Sequence, residues 1–433
     1  MNQTKSADAK LVRGIRRWDL VAITINGIIG AGIFGIPAKV YALIGPYSLI
    51  AFIACALVVA LITLCFAEVG SRFETTGGPY LYAREAFGPT VGFEVGWLMW
   101  LARVTAFGAN GNLLVSYLSY FWPSASLSFW RPTIIVSLVV LLTAVNVSGV
   151  RHATIVSNGF TLGKLLPMLF FVVAGLFFIN GSAYSFTSTP TTGAFSQSVL
   201  ILVYAFTGFE MAAIPAGEVN NPRRDLPVSL ITALAVVATL YILIQIVCVG
   251  TLPGLGQSQR PLADAAMRFL GAGGGALISA GALISITGNL NILMLSGSRI
   301  PFAMAEQKEL PGILARIHSR RSTPYIAILF TSIIMLVFTL NTSFVSALTI
   351  SAIARLVTYA ATCLSLPIFR RRKNIHPALF VLPFGSLWAV ITLVLIIWLL
   401  ANSTKYEALT AMIVAVIGLV AYLSYRAYTR RSN

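Results

Sequence analysis

The first stretch that could do chemistry is a cluster of glycines in an apolar run between Asn26 and Pro37. Glycine costs roughly 1 kcal/mol within a helix, and a backbone group freed inside a membrane must be satisfied by protein, water or ligand. Gly30, Gly32 and Gly35 also fit the dinucleotide pattern GxGxxG, but that site needs a preceding strand and a following amphipathic helix. The sequence shows neither. We therefore predict an unwound segment whose peptide groups line a cavity.

A second apolar run is interrupted in a similar way later in the chain. There Gly208 lies between Tyr204 and Glu210, and Pro215 follows. Two interrupted spans about five helices apart predict a transporter built from two repeats of five helices, with its site between the breaks. The alternative is that the glycines serve only close helix packing.

Arg103 is the least expected residue, because it lies near the middle of a predicted span. A basic residue at that depth costs at least ~2.5 kcal/mol on insertion scales, so it should face a wet cavity or a counter-charge. Helical spacing places it on one face with Ala106, Phe107 and Asn110. Two interpretations stay open: a structural pairing with an acid or with backbone carbonyls, or a contact to a substrate.

Two further cations lie within predicted spans. Lys164 lies about seven residues into its span, where it either snorkels to the interface or acts as a buried proton carrier or fixed cation. Arg355 is a second buried cation, which cannot pair with Arg103. Polar side chains of the eighth predicted span could face the same cavity: Thr287, Asn289, Asn291, Ser296 and Ser298.

These residues belong to a chain of 433 residues, 57% hydrophobic and 10% charged, with a mean hydropathy of +0.85. Soluble domains are nearer one quarter charged, so the sequence predicts an all-α integral membrane protein. Dividing the apolar runs at Gly, Pro and charge breaks gives about twelve transmembrane helices near the ~20 residues that a bilayer requires. They are placed at residues 20–43, 47–69, 92–121, 132–149, 157–180, 196–216, 228–252, 273–298, 325–342, 345–369, 377–400 and 406–427.

The net charge of +17 comes from basic residues that fall mainly on alternate loops. By the positive-inside rule this distribution places both termini in the cytoplasm, and an even number of spans agrees with it. The lipid bilayer, and not a nucleic acid, is therefore the expected partner of the basic surface. The polar N-terminus leads into a full-length span, so we do not expect a cleavable signal peptide.

The residue pattern does not indicate an enzyme. The four cysteines lie within predicted spans without CxxC spacing, and neither a carboxylate pair nor an ATP-binding motif appears in the sequence. We predict no catalytic residue, no metal and no cofactor. The three histidines fall in predicted loops: His152, His318 and His376.

Four segments together resemble the amino acid-polyamine-organocation (APC) superfamily of transporters, in particular its sodium-independent amino acid permeases and exchangers. The first is Gly-Ala-Gly-Ile-Phe at 30–34, and the third contains Gly-Phe-Glu at 208–210 and Asn-Asn-Pro-Arg-Arg at 220–224. Any one of them alone would be weak. In order, the segments are residues 30–34, 67–88, 208–224 and 298–311.

The resemblance implies a LeuT-type fold with a 5+5 inverted repeat and broken helices 1 and 6. The repeats would be residues 20–180 and 196–369, after a cytoplasmic tail at 1–19. Residues 370–433 would form helices 11 and 12 and a cytoplasmic C-terminus. The implied substrate is an amino acid held between the two breaks.

The resemblance also implies roles for individual residues. The amides of Gly30, Ala31 and Gly32 would bind the substrate carboxylate, because a half-helix N-terminus carries a positive dipole. The substrate ammonium would bind the carbonyls of Ile28, Ala205 and Thr207. Tyr204 and Phe209 would be gate residues near the substrate.

Three residues are assigned by the resemblance to a coupling or cation site: Lys164, Glu210 and Ser298. Lys164 matches the lysine of sodium-independent members, which argues against sodium dependence. The departure from the family is Arg103, at a position where its basic-amino-acid exchangers carry a small residue. A cation there would repel arginine or lysine and could hold an acidic or carbonyl-bearing side chain. Phe107 and Asn110 share its helix face and complete the predicted substrate site.

The sequence therefore predicts a secondary active amino acid transporter that works by alternating access, as an exchanger or with protons. It would reside in the plasma membrane, which is the inner membrane in a bacterium, as a monomer or homodimer. The alternatives are a transport-inactive amino acid sensor or a channel-like protein on the same fold, and, more remotely, a membrane enzyme.

Overall fold

The computed structural model describes residues 14–75, 77–148, 165–319, 321, 323–372 and 374–432. Throughout these ranges the regular structure is helical, and one isolated bridge pairs Ile15 with Val219. The α-helices are α1 Arg17–Ile28, α2 Gly32–Ile44, α3 Ser48–Gly70, α4 Pro79–Phe87, α5 Pro89–Leu118, α6 Trp130–Ser148, α7 described over Leu165–Phe178, α8 Thr192–Phe206, α9 Pro222–Thr251, α10 Pro261–Glu306, α11 Tyr325–Asn341, α12 Phe344–Arg371, α13 Gly385–Ala401 and α14 Lys405–Ser432.

Seven helical segments within the described ranges are long and apolar enough to cross a membrane, and α7, α11 and α13 are shorter apolar helices. Together they describe a multi-pass membrane protein. The count of twelve spans, the two-repeat arrangement and the domain boundaries stay predictions. The seven segments are Gly32–Gly70, Trp130–Ser148, Thr192–Ala213, Pro222–Thr251, Pro261–Glu306, Phe344–Arg371 and Lys405–Ala427.

The glycine-rich segment near the N-terminus does interrupt its helix. α1 ends at Ile28, and Ile29 has φ −72° and ψ 82°, outside the helical region. The amide of Gly30 turns back and donates to the Ile28 carbonyl at 2.7 Å. α2 then begins at Gly32.

The second predicted interruption is present as well. α8 ends at Phe206, Thr207 is extended, and Gly208 has φ 111° before a 3-10 turn over Phe209–Ala213. Residues with a side chain rarely adopt that φ. A Cβ on Gly208 would also overlap the carbonyl of Gly27. Glycine is therefore required here both for backbone conformation and for the close approach of the two breaks.

The long helix α5 lies in the middle of the bundle, against α10, α11 and α12. α1 packs on α9 and α2 packs on α8, so both broken elements are held by neighbouring helices. α13 and α14 both lie against α12. The broken segments and the central part of α5 thus meet in the interior.

Two local expectations can be compared with the helices. The turn residues and mixed charges at 77–88 predict a short helix along the membrane surface, and α4 Pro79–Phe87 confirms a short helix there. The eighth span was expected at 273–298, but α10 runs from Pro261 to Glu306 with a kink at Gly271, where φ is 69°. A glycine accommodates this angle without steric cost. The kink therefore joins two helical pieces close to residue 273, where the sequence predicts the start of the span.

Candidate functional site

A cavity of about 390 Å³ lies between the two breaks. Its volume falls within the range of roughly 300–1,000 Å³ that is typical of small-molecule sites. The backbone of both interrupted segments lines it: Ile28, Gly30, Ala31 and Gly32 from the first break, and Tyr204, Ala205, Thr207 and Gly208 from the second.

The backbone groups at the first break differ in their hydrogen bonding. The first amides of a helix have no intrahelical acceptor, so the α2 terminus at Gly32 directs donors and a positive dipole toward the cavity. The Ile28 carbonyl, in contrast, accepts from the Gly30 amide at 2.7 Å and from the Tyr241 hydroxyl at 3.2 Å. A carbonyl oxygen has two lone pairs, so this acceptor is occupied in the observed conformation.

Small residues bring the two breaks together. The Gly27 and Gly208 backbones approach so closely that a Cβ on Gly27 would lie 2.8 Å from the Gly208 oxygen. A Cβ on Gly32 would lie 3.0 Å from the Ala205 Cα. The cavity walls therefore include peptide groups that larger residues would separate.

Two arginines on different helices line the cavity and share one acid. Arg355 on α12 donates to Glu210 Oε1, and Arg103 on α5 has its closest terminal nitrogen 3.6 Å from the same oxygen. Glu210 Oε2 accepts from the Tyr359 hydroxyl at 2.8 Å and from the Gly208 amide at 2.9 Å. The carboxylate thus joins the second break to α5 and α12.

The wall formed by α5 continues beyond Arg103. Ala106 lines the cavity, and Asn110 accepts at its Oδ1 a hydrogen bond of 2.8 Å from the Tyr204 hydroxyl. Tyr204 itself lines the cavity. Asn110 therefore fixes the orientation of a cavity-lining ring from behind.

The cavity differs at its two ends. Along the first turn of α2, the Tyr117 hydroxyl donates to the Phe34 carbonyl at 2.7 Å, and Gly35 packs against the side chains of Phe344 and Leu113. In the other direction the cavity continues along α1, lined by Ile23, Asn26 and Gly27. It therefore extends toward the start of α1 and is closed by packed side chains on the side of α2.

The sequence model of the amino acid permease family matches residues 15–422. The chain belongs to this family. The resemblance to APC transporters is thereby confirmed, and the chain aligns over nearly its full length with curated relatives. It is 28% identical to the methylthioribose transporter of Bacillus subtilis (strain 168), over 98% of the chain and 96% of that protein.

Two other relatives of the chain come from the same organism. The serine/threonine exchanger SteT is 28% identical, with 95% of each chain covered. The branched-chain amino acid permease BcaP is 24% identical, over 97% of this chain and 94% of that protein. The relatives are transporters and not enzymes, although their named substrates differ.

The structure brings most of the predicted site residues to one cavity, and it places others behind the cavity wall. Asn110 contacts Tyr204, Phe107 is fully buried, and Phe209 packs edge-to-face on Phe66. Ser298 accepts from Arg299 and donates to the Leu295 carbonyl, within α10. Lys164 lies outside the described residues. The predicted residues that line the cavity are Ile28, Gly30, Ala31, Gly32, Arg103, Tyr204, Ala205 and Thr207.

Sequence reasoning missed part of the candidate site. Arg355 was recognised as a buried cation, but its partnership with Glu210 was not. A search for counter-charges among the predicted spans could have paired them, because buried charges are rarely left alone. Tyr359, one helical turn after Arg355, also binds Glu210. Asn289, which the sequence predicts at the cavity, does line it, whereas Ser285 and Met211 line it without a distinctive sequence signal.

Proposed function

We propose that the protein is a secondary active transporter that carries an amino acid by alternating access, as a permease or an antiporter. The observation that supports this most directly is the cavity between two helix breaks, lined by peptide groups of both. Broken helices that meet in the membrane are typical of transporter sites. Membership of the amino acid permease family supports an amino acid as the substrate.

In this proposal the substrate binds as a zwitterion. Its α-carboxylate accepts hydrogen bonds from the amides of Ala31 and Gly32, where the α2 dipole is favourable, and from the Gly30 amide once that amide releases the Ile28 carbonyl. Its ammonium donates to the carbonyls of Ala205 and Thr207 at the end of α8. The Ile28 carbonyl joins them only after one of its two present hydrogen bonds is released.

The direction in which the cavity extends supports an inward-facing conformation. The residues around the start of α1 are basic, with Arg16 and Arg17 before its first turn ends. By the positive-inside rule that end faces the cytoplasm, as do both termini. Transport then requires the cavity to close along α1 and to open on the side of α2, which packed side chains close in this conformation.

Sodium independence is also part of the proposal, and it rests on the identity of Lys164 in the sequence. A fixed ammonium at that position would replace a bound sodium ion. Uptake into proteoliposomes should therefore survive replacement of sodium by choline. A strict sodium requirement would contradict this part of the proposal and leave the substrate site standing.

The test of function is a ligand panel of the twenty amino acids in a thermal-shift assay on the purified protein, followed by counterflow with the ligands that bind. We expect at least one amino acid to stabilise the protein and to be exchanged. Binding without counterflow would indicate a transport-inactive sensor, and flux that does not saturate would indicate a channel. Either result, or no binding at all, overturns the proposal.

Gly30→Leu tests the location of the site. A Cβ at Gly30 would approach the Asn289 side-chain amide to 2.5 Å at the cavity wall, and the leucine would occupy the space near the α2 amides. The matched control is Gly273→Leu on α10, where a Cβ has open space. We expect Gly30→Leu alone to lose ligand binding while remaining monodisperse. Unchanged binding would remove the site assignment.

A further inference from the structure

The cavity carries a positive charge that protein groups do not balance. Among its lining residues in the described part of the chain, Arg103 and Arg355 are the charged ones, and both face the single carboxylate of Glu210. Outside the described ranges, Asp8 is the one acidic residue, and residues 149–164 contain no acid. The cluster of Arg103, Arg355 and Glu210 therefore contains two cations and one anion, which leaves one positive charge unbalanced.

Glu210 already accepts three hydrogen bonds, and a carboxylate has about four acceptor positions. Glu210 is 3% exposed and accepts from Arg355, Tyr359 and the Gly208 amide, with Arg103 beside it. The closer arginine is Arg355. Glu210 thus has little remaining capacity to satisfy Arg103.

Arg103 has donors to spare. A guanidinium has five N–H donors and no acceptor, and the nearest carboxylate oxygen lies at 3.6 Å, longer than a hydrogen bond. Its side chain is 3% exposed, and its Nε is buried with no hydrogen-bond partner. A buried guanidinium in this state is stabilised by a second anion, preferably a carboxylate that binds two of its nitrogens.

We infer that the cavity selects an amino acid with an acidic side chain, and that Arg103 binds the side-chain carboxylate. This inference rests on the proposed function, in which the α2 amides take the α-carboxylate. The second carboxylate then offsets the excess charge and occupies the unused donors of Arg103. A substrate with a neutral side chain leaves the excess charge unbalanced and the Arg103 donors unused. A cationic side chain is repelled by the two guanidiniums.

The decisive measurement compares each acid with its own amide on the wild-type protein. L-glutamate against L-glutamine, and L-aspartate against L-asparagine, differ at one functional group and hardly in size. Hydrogen bonds to charged groups contribute about 1.5–3 kcal/mol, so we expect an acid to bind about tenfold or more tightly than its amide. Equal or tighter binding of the amides overturns the inference.

Failure of the inference can be told apart from failure of the proposed function. If only neutral or basic amino acids bind and exchange, the transporter assignment holds and the acidic preference is wrong. If no amino acid binds, or if binding is not followed by exchange, the proposed function itself is wrong.

Arg103→Gln, with Arg268→Gln as its control, identifies the responsible residue. Arg268 lies exposed on α10 and outside the cavity lining, so the same loss of charge there should leave the acid-to-amide ratio unchanged. At Arg103 the ratio should fall about tenfold, mainly through weaker binding of the acid. Equal losses for acid and amide would mean that Arg103 binds the α-carboxylate, and would overturn the assignment.

Arg103→Lys keeps the test decisive if the glutamine variant does not fold. A lysine retains the charge but cannot bind a carboxylate through two nitrogens. The preference for the acid should shrink and still remain. A reversed preference in this variant contradicts the inference, as does the wild-type result in which acids bind no better than amides.

Discussion

Two buried glutamates, Glu68 and Glu210, each lie beside two arginines, yet the arginines have very different surroundings. At Glu68 the partners are Arg72 and Arg370, and Arg370 binds both carboxylate oxygens, at 2.7 Å and 2.6 Å. At Glu210, Arg355 takes one oxygen and Arg103 remains 3.6 Å away.

The protein supplies further acceptors only in the first case. Arg370 also donates to the Leu382 carbonyl at 2.6 Å, and Arg72 donates to the Phe369 carbonyl at 3.4 Å. The Arg370 side chain is 26% exposed, so water screens part of its charge. A buried Nε without a partner is found on Arg72 in the first cluster, and on both Arg103 and Arg355 in the second. Arg72 nevertheless has bonds from its other nitrogens, whereas Arg103 faces a cavity.

Each cluster contains one glutamate and two arginines, but the Glu68 cluster stabilises the fold, whereas the Glu210 cluster is suited to binding a ligand. The Glu68 cluster ties α3 to the end of α12 and to the segment before α13, because the Leu382 amide also donates to Glu68 at 2.9 Å. The Glu210 cluster leaves one guanidinium available to a ligand. α12 carries one arginine of each cluster, Arg355 and Arg370, about 22 Å apart along the helix axis.

The largest expected effect is that of Glu210→Gln. It removes the anion between two guanidiniums that are 3% and 7% exposed, and breaking a buried ion pair in this way costs about 3–5 kcal/mol. We expect its unfolding midpoint to be lower than those of Glu68→Gln, Arg370→Lys and Arg103→Lys when the purified proteins are heated in the same detergent. A midpoint equal to that of the wild type would mean that the arginines are satisfied without Glu210, and the comparison would fail.

Features of the fold and the site that depend on residues close in sequence were predictable, and features that depend on contacts between distant residues were not. The two breaks were predictable, because Gly30, Gly32 and Gly208 interrupt apolar runs that are otherwise suited to helices. The cost of glycine in a helix is local. The glycine pattern predicts a break near Gly208, but it does not give the positive φ of this residue or its contact with Gly27.

A search for counter-charges among the spans names candidate partners for the buried arginines. The geometry of the Glu210 cluster was not predictable, because its members come from distant parts of the chain. Glu210 meets Arg103 and Arg355 across separations of more than one hundred residues, and local periodicity does not encode such pairings. The same holds for the Tyr241 hydroxyl on the Ile28 carbonyl, which occupies an acceptor assigned to the substrate. Helical spacing grouped Phe107 with Arg103, although Phe107 is buried behind the cavity wall.

An intermediate effect is expected for Glu68→Gln. The substitution weakens the two bonds from Arg370 and the contact with Arg72, but the Arg370 charge can turn toward water and keep the Leu382 carbonyl. We expect a loss of about 1–3 kcal/mol, with a midpoint above that of Glu210→Gln. The ratio of acid to amide binding should match that of the wild type, since Glu68 does not line the cavity. A changed ratio would show that the two clusters are not independent.

The smallest effects, and the sharpest contrast, are expected from lysine at the two arginine positions. Arg370→Lys loses a guanidinium that binds two carboxylate oxygens and a carbonyl at once, and lysine cannot reproduce that geometry; we expect a loss of about 1 kcal/mol. Arg103→Lys loses no such geometry, because the closest Arg103 nitrogen is 3.6 Å from Glu210, so its free energy of unfolding should lie within about 0.5 kcal/mol of the wild-type value. Measured side by side, equal destabilisation would mean that Arg103 is as much a structural residue as Arg370, whereas the expected order leaves its donors to a ligand.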